Sequence, residues 1–482
     1  MTITSHFSRR RFLGSMLGLA GSTAAPFALN LAAMGQAAAQ SADDYKALVC
    51  LFMNGGNDTF NTVLATDTPS WSEYLRLRNT GSNDSIHLPG VGETGGVLPI
   101  TPATAQAGRS FALHPALAPL KDLFDGGRAA IVANVGTLIQ PVTLAQYKAG
   151  NVALPPKLFS HNDQQSTWQS GLPEGASIGW GGRLGDLLGS GNANATFTAI
   201  SAASNALFLS GRQVRQFQVG KAGAVPIRNI GGSGYLFGTT QGETALRDII
   251  STAGDDMMEQ EHVATVQRAI SSQSVLSGAM LAAGAGGVPN PPPYVNPNTG
   301  ASSVNQLAVQ LQTVARIIGG RGPLGAKRQV FYVTLGSFDT HDRQKELHGD
   351  LMARLAHALA YFDATLASLQ GADVRRQVTT FTASDFGRTF SSNGDGTDHG
   401  WGAHHFVVGG AVKGRDIYGA VPVTGLGHEL DVGSGALLPT TSVDQYGATL
   451  AKWFGVADSQ LAQVFPNIGN FSRRDLGFMT AT

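Results

Sequence analysis

Aspartate and histidine recur at the ends of apolar runs in this chain, a pairing of types suited to a divalent cation. Gly336-Ser337-Phe338-Asp339-Thr340-His341 follows the run FYVTL. Asp339 and His341 stand two apart, so on extended backbone they share a face. A carboxylate and an imidazole converging there fit a zinc-type or manganese-type ion; alternatively Asp339 caps a helix starting near Arg343. Asn54-Gly55-Gly56-Asn57-Asp58-Thr59 closes the run KALVCLFM, and its glycines let the backbone turn Asp58 toward the strand end. A plain Asn/Gly turn is the alternative. Thr382-Ala383-Ser384-Asp385-Phe386-Gly387-Arg388 places Asp385 after the run VTTF, with Arg388 close enough to hold a phosphate or sulfate.

The densest segment is Gly396-Thr397-Asp398-His399-Gly400-Trp401-Gly402-Ala403-His404-His405. Seven of the twelve histidines fall after position 340, and three lie within seven residues here, which favours a site over isolated core histidines. Ser160-His161-Asn162-Asp163-Gln164-Gln165 precedes Trp168 and Gly171. The Ser160 hydroxyl, at the start of an expected helix, is a nucleophile if a metal activates it, and a capping serine otherwise. Arg183, in Gly179-Trp180-Gly181-Gly182-Arg183-Leu184, is a weaker candidate for substrate binding.

These segments need strands and helices to hold them. Residues 46–53 read as a buried strand, 115–126 as an amphipathic helix and 128–135 as a second strand. Strand, helix, strand predicts a parallel sheet with crossover helices. Later come a helix over 304–318, a strand over 329–335, a helix over 343–369, strands over 377–383 and 405–408, and a helix over 443–454. The sum is an α/β fold, a doubly wound and mostly parallel sheet flanked by helices, formed by residues 40–201 and 301–482. Open sheets of this kind bind ligands outside the carboxyl ends of their strands, where the aspartates stand. Residues 202–300 carry Gly-Gly-Ser-Gly at 231–234, a helical pattern near 243–283 and a proline-rich run near 288–294. They read as an inserted cap with an extended linker.

Composition bounds the rest. The 33 basic and 33 acidic side chains cancel, so no basic excess exists to neutralise a nucleic-acid backbone. Cys50 is the single cysteine, which excludes an intrachain disulfide framework and any multi-cysteine metal site. Residues 1–39 contain Ser8-Arg9-Arg10-Arg11-Phe12-Leu13-Gly14, then an uncharged weakly apolar stretch ending in Ala37-Ala38-Ala39. This resembles a twin-arginine export signal removed at a small-residue site. It implies the twin-arginine translocase as a partner during export, a periplasmic or otherwise extracytoplasmic destination, and no stable membrane anchor after cleavage.

The series GGNDTFNT, LHPALAPL, SHNDQQSTWQSG, GWGGRL, GSFDTHDRQ, TASDFGRT and GTDHGWGAHHFVVGG resembles the bacterial domain-of-unknown-function 1501 family over nearly the whole mature chain. That family is similar to the alkaline phosphatase and sulfatase superfamily, whose members hydrolyse phosphate or sulfate esters with one or two metals. The likeness implies Asp58, Asp339, His341, Asp385, Asp398, His399 and His404 as ligands for one or two divalent ions (zinc, manganese, magnesium or calcium). It implies Ser160 as the nucleophile with His161 beside it, and Arg388 and Arg183 on an anionic ester substrate. The chain departs from the pattern where Phe386 follows Asp385 and where Asp339 and His341 are only two apart. It lacks a Cys-x-Pro-x-Arg signature, which excludes a formylglycine sulfatase. Two functions follow: an exported metal-dependent hydrolase of a phosphate or sulfate ester, or a non-catalytic exported protein that binds a surface glycan or a protein on the same scaffold.

Overall fold

The computed structural model describes residues 45–225, 239–252 and 254–480. The expected export signal and the glycine segment at 231–234 lie outside the described residues.

Strand β1 (Lys46–Met53) is buried along all eight residues, which is why its sequence is a continuous apolar run rather than an alternation. Its side chains divide by parity. Ala47, Val49, Leu51 and Met53 enter one core, and Leu48, Cys50 and Phe52 enter another. The sheet therefore has a helical layer on each face. Apart from two small separate sheets, the strands that build the main sheet and its rim continue with β2 (Ala129–Gly136), β3 (Ala199–Ser201), β4 (Phe217–Gly220), β5 (Gly223–Ala224), β6 (Arg328–Leu335) and β7 (Val378–Ser384). They are followed by β8 (Arg388–Ser392), β9 (Thr397–His399), β10 (Ala403–Val408), β11 (Ile417–Tyr418) and β12 (Thr441–Ser442).

The main sheet runs β11-β2-β10-β7-β1-β6-β3-β4-β5, with β12 also paired to β2. Strand β1 lies between β6 and β7, parallel to both. Strand β10 is antiparallel to its neighbours β7 and β2. The fold is a mixed, mostly parallel α/β sheet flanked by helices. Since β1, β6 and β7 are adjacent and parallel, their carboxyl ends open on one rim, and Asn54, Gly336 and Asp385 start there. Strands β8 and β9 form a separate hairpin beyond β7, pairing Arg388 with His399.

Helices α1 (Thr68–Arg78), α2 (Ala118–Asp125), α3 (His161–Ser170), α4 (Trp180–Leu188), α5 (Met257–Ala279), α6 (Gln306–Gly319), α7 (Gln344–Leu366) and α8 (Val443–Phe454) complete the frame. Leucines and phenylalanines of α2, α6 and α7 fill the first core; Trp180, Leu184, Tyr446 and Phe454 of α4 and α8 fill the second. Each such side chain, once fully buried, stabilises the fold by about 1.5–3 kcal/mol before entropy is charged against it. Helix α8 starts with a capping box in which Ser442 and Gln445 satisfy each other's backbone N–H.

The segment 202–300 is less separate than its composition suggests. Strand β4 extends the sheet parallel to β3, and β5 turns back against it. The proline-rich run is pinned to the body, because Gln312 Nε2 donates to the carbonyls of Val288 and Pro289 at 3.2 and 3.0 Å. Tyr294 is buried and donates to Asp350 at 2.5 Å. Among the described residues no helix is long and apolar enough to cross a membrane.

Candidate metal centre at the strand ends

The rim is built by turns that only certain residues permit. Gly55 has φ +117°, and a Cβ there would stand 2.3 Å from the backbone nitrogen of Asp339. Glycine therefore lets the β1 exit lie directly on the β6 exit. The Phe338 N–H donates to the Asn54 carbonyl at 3.0 Å, tying the two turns together. Ser337 bends the β6 exit through a positive φ of 76°. On the other side an isolated bridge pairs Asn57 with Gly387 just beyond β7.

Asp339 is the centre of the resulting cluster. Its Oδ1 lies 2.6 Å from Arg388 Nη1 and 3.1 Å from both His341 Nε2 and His399 Nε2. Its Oδ2 lies 3.4 Å from His161 Nε2. One ligand atom each from His161, Asp339 and His399 fall within 4.8 Å of one another. His341 Nε2 adds a fourth donor 3.1 Å from His399 Nε2, and its Nδ1 is 3.5 Å from the Asp398 carboxylate.

The outer hydrogen bonds fix which ring nitrogen carries a proton. His161 Nδ1 is 2.6 Å from Asp385 Oδ2, and His399 Nδ1 is 2.8 Å from the Phe159 carbonyl. Both partners only accept, so both Nδ1 atoms donate. The neutral rings then aim their Nε2 lone pairs toward the Asp339 carboxylate, acceptor against acceptor. A proton on His161, an Nε2–H of His341, which lies 3.1 Å from both His399 Nε2 and Asp339 Oδ1, or a cation relieves that arrangement. The hydrogen bond to Asp385 raises the His161 pKa, so a proton can serve this ring. Burial lowers that of His399, with the charges of His161 and Arg388 acting in the same direction. Burial alone would raise Asp339, but the Arg388 hydrogen bond and charge outweigh it and hold the carboxyl ionised. Imidazole nitrogens, an ionised carboxylate and a carboxylate behind one imidazole make a donor set that fits a zinc-type or manganese-type ion.

Helix α3 supplies His161 as its first residue, with Ser160 in the cap position. The chain enters through positive φ at Lys157 (45°) and Phe159 (70°), which turns the Phe159 carbonyl to His399. One turn on, Gln165 Nε2 donates to the same Asp385 oxygen at 2.9 Å. Asp385 is buried, and its Oδ1 has no partner.

The remaining expected residues lie elsewhere or serve the protein itself. Asp58 is wholly buried one layer below, paired with Arg78 at 2.5 Å, and Gln344 donates to it at 2.6 Å. Its oxygens are committed to these groups and it does not join the cluster. His404 is buried apart from the cluster, where its Nδ1 accepts from the Asn134 N–H at 3.0 Å and burial lowers its pKa to about 4. Arg388 is buried and donates to Asp339, Gly55 and Thr397, so it orients the cluster's carboxylate with no group left for a substrate. Arg183 donates to the carbonyls of Ser170, Val464 and Ile178. Ser160 donates to Asp163 Oδ2 at 3.0 Å on its own helix. Asp398 stands exposed on β9 at the outer edge, bonded to Asn393. Asp339 does not cap α7: Arg343 holds the cap position, and Asp395 accepts its N–H.

Sequence reasoning missed Gln165, Gln344 and Arg78. Gln165 stands four residues after His161, a spacing that puts both on one helix face and could have revealed it. Gln344 bridges Asp58 to Thr397, and Thr397 in turn meets Arg388, so the buried Asp58–Arg78 pair and the Arg388–Asp339 pair at the rim form one network. No local signal announces either Gln344 or Arg78.

Fold and site together define an α/β protein that gathers imidazoles and a carboxylate on the carboxyl rim of a mostly parallel sheet. The chain belongs to the family described as protein of unknown function (DUF1501), which it matches over residues 45–464. No curated protein matches it. Solved structures similar to it include one from Bacteroides thetaiotaomicron, described under the metabolism of multiple glycosaminoglycans. That likeness is 10% in identity, spans 86% of this chain and 74% of the other, and has a TM-score of 0.33.

Proposed function

We propose that this protein is a metal-dependent hydrolase of a phosphate or sulfate ester. The observation that carries the reading is the pair of fixed tautomers, which leaves two imidazole lone pairs and a carboxylate facing one point. His161 Nε2, His399 Nε2 and Asp339 would hold the ion, with His341 on the outer side. A divalent cation there supplies Lewis acidity to an ester oxygen and positive charge for the oxyanion that develops. Nitrogen-rich ligation favours zinc or manganese over magnesium or calcium.

The chain's own groups do the rest. Asp385 and the Phe159 carbonyl hold the two imidazoles in orientation, and Arg388 keeps Asp339 ionised and still. Ser160, adjacent in the chain to His161, already donates its hydroxyl proton to Asp163. In the reaction its Oγ bonds to phosphorus or sulfur, Asp163 takes the proton, the ester bond breaks and the alcohol leaves with a proton from solvent. Water then cleaves the seryl ester. The Arg9-Arg10 leader supports action outside the cytoplasm.

Mature protein should carry close to stoichiometric metal by elemental analysis and turn over an aryl phosphate or an aryl sulfate. Asp339→Asn and His399→Ala should lose both metal and turnover, whereas Ser160→Ala should keep metal and lose turnover. A metal-free, inert protein whose melting ignores chelators would defeat the proposal. One observation favours the second reading, a non-catalytic binding protein. Arg388 and Arg183, the arginines expected to grip the ester oxygens, are both spent on protein groups. Tightly held metal that sharpens melting, with no ester cleaved, would select that reading.

A further inference from the structure

Beside the cluster lies a pocket of about 370 Å³, within the range typical of small-molecule sites. It is lined by amides of Asn54, Asn162, Gln165, Gln169 and Asn205, with Glu174 as its single charged residue. Three of these amides are held by one end. Asn54 Nδ2 donates to Thr334, Gln165 Nε2 donates to Asp385 and Gln169 Oε1 accepts from the Phe208 N–H. Each is thereby oriented, and its second amide atom carries no hydrogen bond from the protein. The pocket thus has two fixed acceptors, Asn54 Oδ1 and Gln165 Oε1, and a fixed donor, Gln169 Nε2. Asn162 and Asn205 are exposed and add an unbonded amide each.

We infer that this pocket is a subsite for a neutral sugar. Hydroxyl groups both donate and accept, and amides are the side chains that can answer both from fixed positions. No arginine or lysine lines the pocket, so it offers no counter-charge to a second phosphate, a sulfate or a uronate. Polar side chains predominate in the lining, where Ser166 and Ser204 join the five amides and Leu207 and Tyr332 are the large apolar groups, so little hydrocarbon is offered for an acyl chain or an aryl group to cover. Gln165 joins the pocket to the cluster, because the amide that lines one also braces the carboxylate behind His161. A sugar seated on Gln165 therefore lies next to the cluster. Given the hydrolase reading, on which this step alone rests, the substrate class is a phosphate or sulfate ester of a neutral sugar, with the sugar as leaving alcohol.

The test is direct binding, followed by turnover. Full-length mature protein would be titrated by ligand-observed NMR and calorimetry with neutral hexoses and disaccharides, the matching uronates, and linear alkyl alcohols. Neutral sugars should bind best, and the double substitution Asn162→Ala with Asn205→Ala should weaken them at least tenfold. Both residues are exposed and make no side-chain hydrogen bond within the protein, so the variant should melt like the parent, and a substitution on the far surface at Lys121 should change nothing. Uronates or alcohols binding as well as neutral sugars, or a variant that binds like the parent, would overturn the subsite. Protein that binds neutral sugars yet cleaves no ester upholds the subsite and defeats only the hydrolase reading. Protein that cleaves aryl esters with no preference for sugar esters does the reverse.

Discussion

The chemistry of the cluster depends on groups that would never touch an ion. Asp385 meets His161 through Oδ2, while its Oδ1 is buried with no partner, so its charge is directed at a single imidazole. Asp385→Asn preserves shape and removes that charge. An amide can present its NH₂ to Nδ1, which reverses the tautomer and places a proton on Nε2. Partners of metal-binding histidines typically change affinity by about 10–100-fold when altered. Zinc affinity of Asp385→Asn, measured by competition with a chromophoric chelator, should therefore fall by about that factor while the melting temperature changes little. At this scale residue types were legible and partners were not. Asp339, His161 and His399 stood out as chemistry-bearing and do converge. Asp58 looked equivalent, yet Arg78, twenty residues later, closes on it in a pair with no exposure at all. Nothing in the spacing distinguishes a carboxylate awaiting an ion from one already matched to a guanidinium.

At the scale of elements, the turn after β1 is the joint on which the site hangs. Gly55 is held at a φ that an L side chain rarely adopts, and any Cβ would strike the Asp339 backbone. Gly55→Ala should destabilise the fold by at least about 1–3 kcal/mol from backbone strain, and more from the collision. Urea unfolding would read the first effect. The second should appear as weaker metal retention, because the Asp339 segment must shift to make room. Element positions followed the sequence closely where burial was complete. Strand β1 matches its apolar run residue for residue, and α8 spans Val443–Phe454 as its periodicity and capping residues require. The Asp398-His399 pair was different. No strand was expected between 383 and 405, but the pair stands on β9, whose partner β8 sets Arg388 opposite His399. That hairpin is polar and short, so it has no hydrophobic period to announce it.

Among the described residues, four histidines are buried and held neutral in the interior, His114, His348, His404 and His405, and burial puts His114 well below the ordinary range. Burial depresses His348 and His404 to about 4 and His405 to about 3, from an ordinary value of 6.5. The unfolded chain therefore binds more protons than the folded one as pH falls below about 6.5, and stability is lost progressively toward pH 4. His161, raised by Asp385, acts with opposite sign: its contribution is full below 6.5 and fades as pH rises through its folded value. The carboxyl of Asp444, raised by burial to about 7, also opposes the trend in this window. The four depressed imidazoles outweigh these opposing groups. Unfolding free energy should thus rise with pH between about 4.5 and 6.5, and a flat or falling profile there would contradict it.

The sequence by itself determined the local order of strands and helices, the mostly parallel α/β class and the set of polar residues placed at strand ends. It could do so because apolar periodicity, glycine turns and caps are short-range properties written in neighbouring residues. Only the tertiary structure decided that β1 lies between β6 and β7, and hence that Asp339, His161 and His399 meet while Asp58, Arg183 and His404 are used up elsewhere. Which charge neutralises which is a matter of distances of a few ångströms between residues far apart in the chain. Those distances exist only after the sheet has brought its strand ends together.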